Sequence, residues 1–416
     1  MPTLPPSLCS GVPRPHLAAG DDREHCNESG KPAPLPITSL LALALAGFVT
    51  ILTEALPAGL LPQLSAGLMV SEALAGQLVT IYAIGSLVAA IPLMGATQGV
   101  RRRTLLLAAI AGFAVANTVT TLSTSFILTM VARFLAGMSA GLLWALLAGY
   151  AARMVPKQQK GRAIAIAMVG TPLALSLGVP AGTFLGTLVG WRMCFGVMSL
   201  LALLLMVWVR VKVPDFAGQT TGKRLSLMSV FRQPGIRPVL FAVLAFVLAH
   251  NILYTYIAPF LAGAGMAQRT DLVLLVFGMT SLLGIWITGV LIDSHLRTLT
   301  LASTALFGVA ALVLGVVGTL PVAVYAAVGA WGLAFGGAAT LFQTALAHTA
   351  GDAADVAQAM LVTAWNMAIA GGGIIGGLLL ERFGVGAFSP ALLLLLLATL
   401  LIVSSARHHG FPARGK

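Results

Sequence analysis

The chain of 416 residues contains twelve almost entirely apolar stretches. The length of each is close to that of a membrane-spanning helix, which needs about 20 residues to cross a hydrocarbon core about 30 Å thick. The predicted spans, numbered one to twelve, are residues 37–62, 73–96, 104–122, 126–152, 162–186, 191–211, 238–263, 271–292, 298–319, 322–347, 357–381 and 387–406. The apolar runs are continuous and show no ten-residue alternation, so helices are predicted rather than the strands of a β-barrel. The predicted fold class is an all-α membrane protein with twelve transmembrane helices.

The distribution of positive charge predicts the orientation of these spans. Charged residues make up 9% of the chain, against about 25% in soluble proteins. With the amino terminus inside, 20 of the 24 Lys and Arg residues fall on the cytoplasmic side; the others are Arg192, Arg269 and Arg382 outside and Arg133 within span four. This positive-inside bias predicts a bacterial inner-membrane protein with both termini in the cytoplasm. The net charge of +12 therefore reflects topology, and no nucleic-acid partner is expected.

Polar segments divide the chain into five parts. Residues 1–36 are rich in Pro, Gly, Ser and charge and predict a disordered cytoplasmic tail. The predicted parts that follow are a six-helix half at 37–211, a cytoplasmic linker at 212–237, a second six-helix half at 238–406 and a short tail at 407–416. The three cysteines show neither a disulfide framework nor the spacing of metal ligands, so no metal site is predicted.

The two halves show signs of an internal repeat. An offset of 195 residues relates four pairs of glycines, two in spans four and ten and two in spans five and eleven: Gly137 with Gly332, Gly141 with Gly336, Gly178 with Gly373 and Gly182 with Gly377. Two pseudo-symmetric six-helix halves, related by an axis along the membrane normal, are therefore predicted.

Span five is unusually rich in glycine and proline. The residues concerned are Gly170, Pro172, Gly178, Pro180 and Gly182. Small residues let helices approach closely in lipid, and prolines free carbonyl groups that a buried bundle can satisfy. A hinge or a helix-contact surface is the interpretation that we favour, with plain packing as the alternative.

Two charged side chains lie well away from the ends of the predicted spans, where charge is costly and is therefore a functional hypothesis. Glu54 lies about one turn to the outer side of the midpoint of span one, and a carboxyl group held in a low-dielectric cavity can exchange a proton near neutral pH. The alternative is a carboxyl group that only fixes helix packing. Arg133 keeps its proton and needs a carboxylate, carbonyl groups or water. It either pairs with Glu54 in one conformation or snorkels to a membrane boundary.

Other polar side chains within the spans are candidates for a cavity between the halves. His250 and Tyr254 are four residues apart and share one face of span seven, and His250 is a candidate for proton transfer because imidazole titrates near pH 6.5. A histidine that only forms structural hydrogen bonds is the alternative. The remaining predicted cavity residues are Asn251, Tyr254, Gln343, Trp365 and Asn366.

Three stretches together resemble the major facilitator superfamily, and within it the twelve-helix drug:proton antiporters and bacterial sugar-efflux permeases. The stretches are 52–62 in span one, 133–141 in span four and 170–186 in span five. The resemblance covers about residues 37–406 and implies a role for Arg133 in proton coupling, as well as an antiporter motif in span five.

The loop after span two departs from the pattern of that family. The family pattern is Gly-x-x-x-Asp-Arg-x-Gly-Arg-Arg, whereas this loop contains Gly95, Arg101, Arg102 and Arg103 and no aspartate. The corresponding loop after span eight keeps an acid, with Asp293 and Arg297. The conformational latch that the family builds on the first aspartate is therefore lost or has moved to the second half.

The sequence thus predicts a proton-coupled secondary transporter that exports small neutral or amphipathic molecules, such as sugars or drugs, by alternating access. An importer or a uniporter is the alternative, and a membrane-embedded enzyme or flippase, with Asp293 and His295 as its nearest approach to a catalytic cluster, is more remote. No nucleotide-binding loop or nucleophile motif is present, so no enzyme activity is predicted. The energy source is the proton gradient, no cofactor is expected, and the expected partners are a small molecule, protons and the lipid bilayer. Because two halves supply one cavity, a monomer is expected.

Overall fold

A computed structural model of the chain describes residues 35–97, 99–156, 159–218, 227–350, 353–407 and 409–411. The side chains of residues 90–96, 161, 293, 354 and 355 also lie outside this described part. Within the described residues, twelve helices are long and apolar enough to cross a membrane. The predicted all-α fold with twelve transmembrane helices is confirmed.

The first half of the chain forms spans one to six. Its helices are Ile37–Gly59 with the continuation Leu61–Leu68 (span one), Glu72–Ala96 (span two), Arg102–Leu122 (span three), Phe126–Arg153 (span four), Lys160–Met168, Gly170–Leu173, a π-helical turn Ala174–Gly178 and Val179–Val189 (span five), and Trp191–Lys212 (span six).

The second half follows a short helix, Leu227–Phe231, and forms spans seven to twelve. Its helices are Ile236–Thr255 and Ile257–Gly263 (span seven), Thr270–Val317 (spans eight and nine), Pro321–Gly336 and Ala338–Ala350 (span ten), Ala354–Phe383 (span eleven) and Phe388–Ser405 (span twelve). Short 3₁₀ turns, Ala267–Arg269 and Val385–Ala387, precede spans eight and twelve.

Helices satisfy their own backbone groups, which is why the apolar runs adopt this structure in lipid. The breaks within spans coincide with residues that disturb this pattern. Span one is interrupted at Leu60, two residues before Pro62, and span seven is interrupted at Tyr256, three residues before Pro259. The predicted loop between spans eight and nine is instead a kink, because only His295 departs from helical geometry (φ −133°, ψ 27°).

The ends of the bundle can be defined from contacts between spans. Ser39, at the start of span one, donates to the Lys212 carbonyl oxygen at the end of span six (2.7 Å), and Arg297 donates to the Val403 carbonyl oxygen at the end of span twelve (2.9 Å). These residues lie at what we call the terminal end, where span one starts and span twelve ends. The opposite end, where span two starts and span eleven ends, is called the far end.

The polar segments at the terminal end are more closely packed than their composition predicts. After span six, the Pro214 carbonyl oxygen accepts from Tyr150 Oη (2.6 Å) and the Phe216 carbonyl oxygen accepts from the Arg102 backbone N–H (2.9 Å). Beyond span twelve, Phe411 is fully buried. Apolar residues within these polar stretches therefore cover the ends of helices, and the boundaries at 212 and 407 stay predictions.

Glycine contacts support the internal repeat in part. Gly137 packs against the backbone of span two at Tyr82, and Gly332 packs against the backbone of span eight at Phe277; the same offset of 195 residues relates both members of each contact. The pair in spans five and eleven differs, since Gly178 packs on Phe48 of span one whereas Gly373 packs on span two of the other half. The repeat is therefore preserved in the packing of spans two with four and eight with ten.

Candidate functional site

Arg133 of span four binds span one at the turn that Pro57 leaves open. Proline has no backbone N–H, so the carbonyl oxygen four residues earlier, at Thr53, loses its helical partner. Arg133 Nη1 donates to this oxygen at 2.6 Å, Nη2 donates to the Glu54 carbonyl oxygen at 3.4 Å, and Nε donates to the Leu78 carbonyl oxygen at 3.2 Å. The residue is 1% exposed. The guanidinium is thus held by carbonyl groups within the bundle, and the alternative that it snorkels to a boundary does not hold.

The carboxyl group of Glu54 forms no hydrogen bond with the described residues. Glu54 keeps partial exposure although its neighbours Thr53 and Ala55 are buried. In the described part of the chain its carboxylate is not within 4.0 Å of a basic group. Span one, which carries Glu54, contacts Arg133 of span four in its own half and spans seven and eight of the other half. Glu54 therefore lies on a span that contacts both halves, and its carboxylate has no hydrogen-bond or ion-pair partner among the described residues.

His250 lies in a cluster of aromatic rings from spans seven, eight and ten. Its ring is stacked on Phe335 with the centroids 3.5 Å apart, and it lies 5.1 Å from Tyr254, 5.3 Å from Trp331 and 5.8 Å from Phe277. His250 Nδ1, Tyr254 Oη and Trp331 Nε1 are buried and have no hydrogen-bond partner among the described residues. This enclosure makes His250 part of an aromatic wall in the second half, and its role in proton transfer stays a prediction.

The other predicted cavity residues are not brought together at one point. Asn251 and Asn366 are buried, and each donates to the carbonyl oxygen four residues earlier in its own helix (2.8 and 2.9 Å). Asn251 also packs against Gly372 of span eleven. Trp365 is partly buried, 6.1 Å from the Phe335 ring, whereas Gln343 is exposed. Of this set, Tyr254 and Trp365 contact the aromatic cluster.

The glycines of span five face span one. Gly170 packs against the Ala44 carbonyl group, Gly178 lies against the Phe48 ring, and Gly182 lies against the Leu56 side chain. These glycines recur at multiples of four residues, so they form one stripe that lets the two helices approach. Pro172 and Pro180 flank the π-helical turn Ala174–Gly178, and single π-helical turns are frequent at functional sites. The interpretation as a helix-contact surface fits this geometry.

The two halves are joined at the far end by contacts that the sequence did not indicate. Tyr256 Oη lies 2.7 Å from the Gly373 carbonyl oxygen and 3.2 Å from the Ala73 carbonyl oxygen. Gln77 of span two donates to the same Gly373 oxygen (3.1 Å) and to Tyr256 Oη (3.4 Å). We call Tyr256, Gln77 and Gly373 the far-end closure.

A weak sequence signal for Tyr256 exists. Span one contains Thr53-Glu54-x-x-Pro57, and span seven contains Thr255-Tyr256-x-x-Pro259. Tyr256 therefore occupies the position in span seven that Glu54 occupies in span one. An offset of 202 rather than 195 residues relates the two turns, which is why the glycine pattern alone does not reveal the match.

The model of the Major Facilitator Superfamily matches residues 43–372, which is most of the chain. The chain belongs to the Major Facilitator Superfamily. It is therefore a multi-pass membrane transporter of the Major Facilitator Superfamily, in agreement with the resemblance of its motifs.

Several proteins are similar over most of their length. A probable sugar efflux transporter of Mannheimia succiniciproducens is 28% identical over 83% of this chain and 88% of its own. A protein of Pseudomonas aeruginosa named transcription regulatory protein OpdE is 29% identical over the same shares of the two chains, and a probable sugar efflux transporter of Pasteurella multocida is 26% identical. The crystal structure of the human organic anion transporter MFSD10 (TETRAN) has a TM-score of 0.67 with 16% identity, covering 89% of this chain and all of that one, which shows the shared fold.

The loop that departs from the Major Facilitator Superfamily pattern obtains an acid from elsewhere in the chain. Arg101 Nε forms an ion pair with Asp215 Oδ2 at 2.9 Å, and the Arg103 backbone N–H donates to Asp215 Oδ1 at 3.2 Å. Asp215 follows span six, so this contact stays within the first half. The buried Arg102 starts span three, and Gly95 lies in the last turn of span two.

The equivalent loop in the second half is fastened in a different way. Arg297 donates to the carbonyl oxygens of Val403, Ser404 and Phe411 at 2.9 to 3.3 Å, and so caps the end of span twelve. The side chain of Asp293 lies outside the described residues.

Proposed function

We propose that this protein is a proton-coupled exporter of small neutral or amphipathic molecules, of which sugars are the first candidates, in a bacterial inner membrane. The observation that carries the proposal is the carboxyl group of Glu54, which is partly exposed, has no partner among the described residues and lies on a span that contacts both halves. A carboxyl group inside a membrane protein is costly unless it is used. A group that is free of hydrogen bonds and ion pairs can gain and lose a proton without first breaking a structural contact.

Alternating access is the mechanism that fits two halves around one site. The excess of Lys and Arg at the terminal end supports the assignment of that end to the cytoplasm. The far-end closure then faces outward, and the conformation described here is one in which the outer side is closed. While the far-end closure is intact, substrate would bind from the cytoplasm. After the far-end closure opens, protons would reach Glu54 from outside.

The chemistry around Glu54 supports a neutral substrate. Arg133 is buried and donates from all three of its nitrogens to backbone carbonyl groups, which does not favour it as a direct ligand of an anionic substrate. The aromatic wall of the second half contains His250, Tyr254, Trp331 and Phe335. Aromatic faces pack well against the apolar faces of sugar rings and of amphipathic drugs. Two of the similar bacterial proteins are named probable sugar efflux transporters, which supports sugars.

The first test measures proton movement directly. Purified protein would be placed in liposomes that contain a pH-sensitive dye, with glucose, arabinose, lactose or chloramphenicol added outside. The Glu54→Gln variant keeps the shape of the side chain but removes its titration. We expect a probe to drive proton movement through the unaltered protein and this movement to fall to the level of empty liposomes in the variant.

Other results would contradict the proposal in different ways. Proton movement that survives in Glu54→Gln would remove Glu54 from the coupling role. Movement of a radiolabelled probe without protons would indicate a uniporter. Uptake of probe in the same direction as protons would indicate an importer.

A further inference from the structure

Three buried polar side chains from three different spans hold one turn of span one. Tyr82 Oη of span two donates to the Thr50 carbonyl oxygen at 3.1 Å, and Asn117 Nδ2 of span three donates to Thr53 Oγ1 at 3.2 Å. Arg133 of span four donates to the Thr53 and Glu54 carbonyl oxygens, as described above. We call Tyr82, Asn117 and Arg133 the span-one clamp.

The members of the clamp also support each other. The Arg133 guanidinium lies over the Tyr82 ring at 4.8 Å from its centroid, a geometry that favours a cation. Thr53 Oγ1, which accepts from Asn117, points on toward Met198 Sδ at 3.8 Å. All three clamp residues are at most 1% exposed, so water does not compete for these hydrogen bonds.

Among the described residues, no clamp of this kind holds the corresponding turn in the second half. Pro259 frees the Thr255 carbonyl oxygen of span seven just as Pro57 frees that of Thr53, and Thr255 Oγ1 is buried without a hydrogen-bond partner among the described residues. At the repeat offset, the position of Arg133 is taken by the apolar Val328, which is fully buried. The clamp is therefore not a general requirement of a proline-containing turn in this fold. It occurs in the half that carries Glu54.

We propose that Tyr82 and Asn117 are positioning residues that act with Arg133 to fix the turn from Thr50 to Glu54, so that the Glu54 carboxyl group stays unpaired between the halves. The observed hydrogen bonds of the clamp go to carbonyl and hydroxyl oxygens, and none of them goes to the Glu54 carboxylate. This inference rests on the proposed role of Glu54 as the protonation site. In this inference, the uncharged residues Tyr82 and Asn117 help to set the pH at which Glu54 binds its proton.

The test uses the infrared C=O stretch of a protonated carboxyl group, which needs no substrate. The band is followed against pH in the purified full-length protein, and its loss in Glu54→Gln assigns it to Glu54. In Asn117→Leu and Tyr82→Phe, which each remove one hydrogen bond of the clamp, we expect the midpoint of the band to move by about half to one pH unit. This corresponds to a change of about three- to tenfold in the protonation equilibrium, the range for one hydrogen bond.

A matched control is available on the same helix as Asn117. Thr120 is equally buried, but its hydroxyl donates to the carbonyl oxygen of Ala116 in its own helix at 2.8 Å. Thr120→Val therefore removes a buried hydrogen bond of span three without touching span one, and its midpoint should match that of the unaltered protein. Thr53→Val removes the acceptor of Asn117, so adding it to Asn117→Leu should produce little further shift.

Failure of this inference and failure of the proposed function give different results. If Glu54→Gln removes the band but Asn117→Leu and Tyr82→Phe leave its midpoint unchanged, Glu54 titrates and the clamp does not position it. If Thr120→Val shifts the midpoint as much as they do, the effect is general loosening and the positioning role is overturned. If the unaltered protein shows no band that Glu54→Gln removes, Glu54 is not the protonation site and both ideas fall.

Discussion

At the scale of single residues, the chain places its two intramembrane charges close together but does not join them. Burial of Arg133 without a carboxylate partner is tolerated because three carbonyl oxygens accept its hydrogen bonds and offset part of the cost of burying its charge. Charge-assisted hydrogen bonds of this kind are stronger than neutral ones. The planar guanidinium, with its fork of donors, reaches carbonyl groups on two different helices.

Replacement of Arg133 by lysine should expose this dependence on shape. Lysine keeps the charge but carries one compact ammonium group, which cannot reach oxygens on spans one and two in the same fork. We expect Arg133→Lys to lower the free energy of unfolding by about 2 kcal/mol or more, as estimated from the loss of hydrogen bonds to a charged donor. The measurement is thermal unfolding in detergent.

The control for this substitution is Arg382→Lys. Arg382 is exposed at the end of span eleven, so the exchange should leave the unfolding temperature within error. Equal unfolding temperatures for Arg133→Lys and the unaltered protein would show that the carbonyl contacts contribute little.

At the scale of helices, the contact between spans one and five depends on a surface without side chains. Gly170, Gly178 and Gly182 present that surface to span one, and close approach of this kind is how helices associate in lipid. The nature of each contact differs. Gly170 meets the backbone at Ala44, whereas Gly182 meets the flexible end of Leu56 at 2.7 Å from where a Cβ would lie.

Gly170→Ala should therefore push the two helices apart. A backbone carbonyl group cannot rotate out of the way, and overpacking of this kind costs about 1–3 kcal/mol. We expect a lower unfolding temperature in detergent for Gly170→Ala and a smaller decrease for Gly182→Ala. Gly149→Ala in span four is the control, because nothing lies within 4 Å of its Cβ position. A Gly170→Ala variant as stable as Gly149→Ala would mean that span five moves freely against span one.

At the scale of the whole molecule, the two halves are held at the far end by a small number of hydrogen bonds. Tyr256 is fully buried there, and its hydroxyl group bridges carbonyl oxygens of spans two and eleven. Ser71 adds a hydrogen bond to the Glu381 carboxylate at 3.1 Å. An equilibrium between conformations responds to any change that weakens one of them, so the far-end closure is the place to shift that equilibrium.

Tyr256→Phe should favour conformations in which the far end is open. Loss of one hydrogen bond changes the ratio of conformations by about three- to tenfold. Spin labels at Leu188 and Val322, which are exposed near the far end in opposite halves, would report the separation by pulsed electron resonance in a background without native cysteines. We expect a larger population at the longer distance.

The control for the spin-label experiment is Tyr325→Phe. Tyr325 lies in span ten of the same half and forms no hydrogen bond with the described residues, so the distance distribution should not change. An identical distribution in Tyr256→Phe would show that the hydroxyl group does not contribute to closure.

The loop after span two illustrates how sequence spacing limits prediction. The missing aspartate of the family pattern led to the expectation that its latch was lost or had moved to the second half. The structure places Asp215 against Arg101 and Arg103, within the first half, and the expectation about the latch stays a prediction. The contact of Asp215 with Arg101 and Arg103 forms because the segment after span six folds back over the loop after span two. These residues are far apart in the chain, so no local sequence pattern indicates the contact.

The sequence alone determined the features that lipid imposes residue by residue. Twelve helices follow from the length of the apolar runs, because each run must satisfy its own backbone groups in the hydrocarbon core. Glu54 and Arg133 were found because charge is rare there, and the glycines of span five because their spacing is local.

Only the tertiary structure decided which groups face each other. It paired Arg133 with the carbonyl oxygen that Pro57 frees, enclosed His250 in aromatic rings, and joined Tyr256 to Gly373 across the halves. Carbonyl groups are the same at every position of a sequence, so a contact made to backbone leaves no residue-specific pattern. Such contacts become visible only once the helices are packed, since packing selects the few backbone groups that a distant side chain can reach.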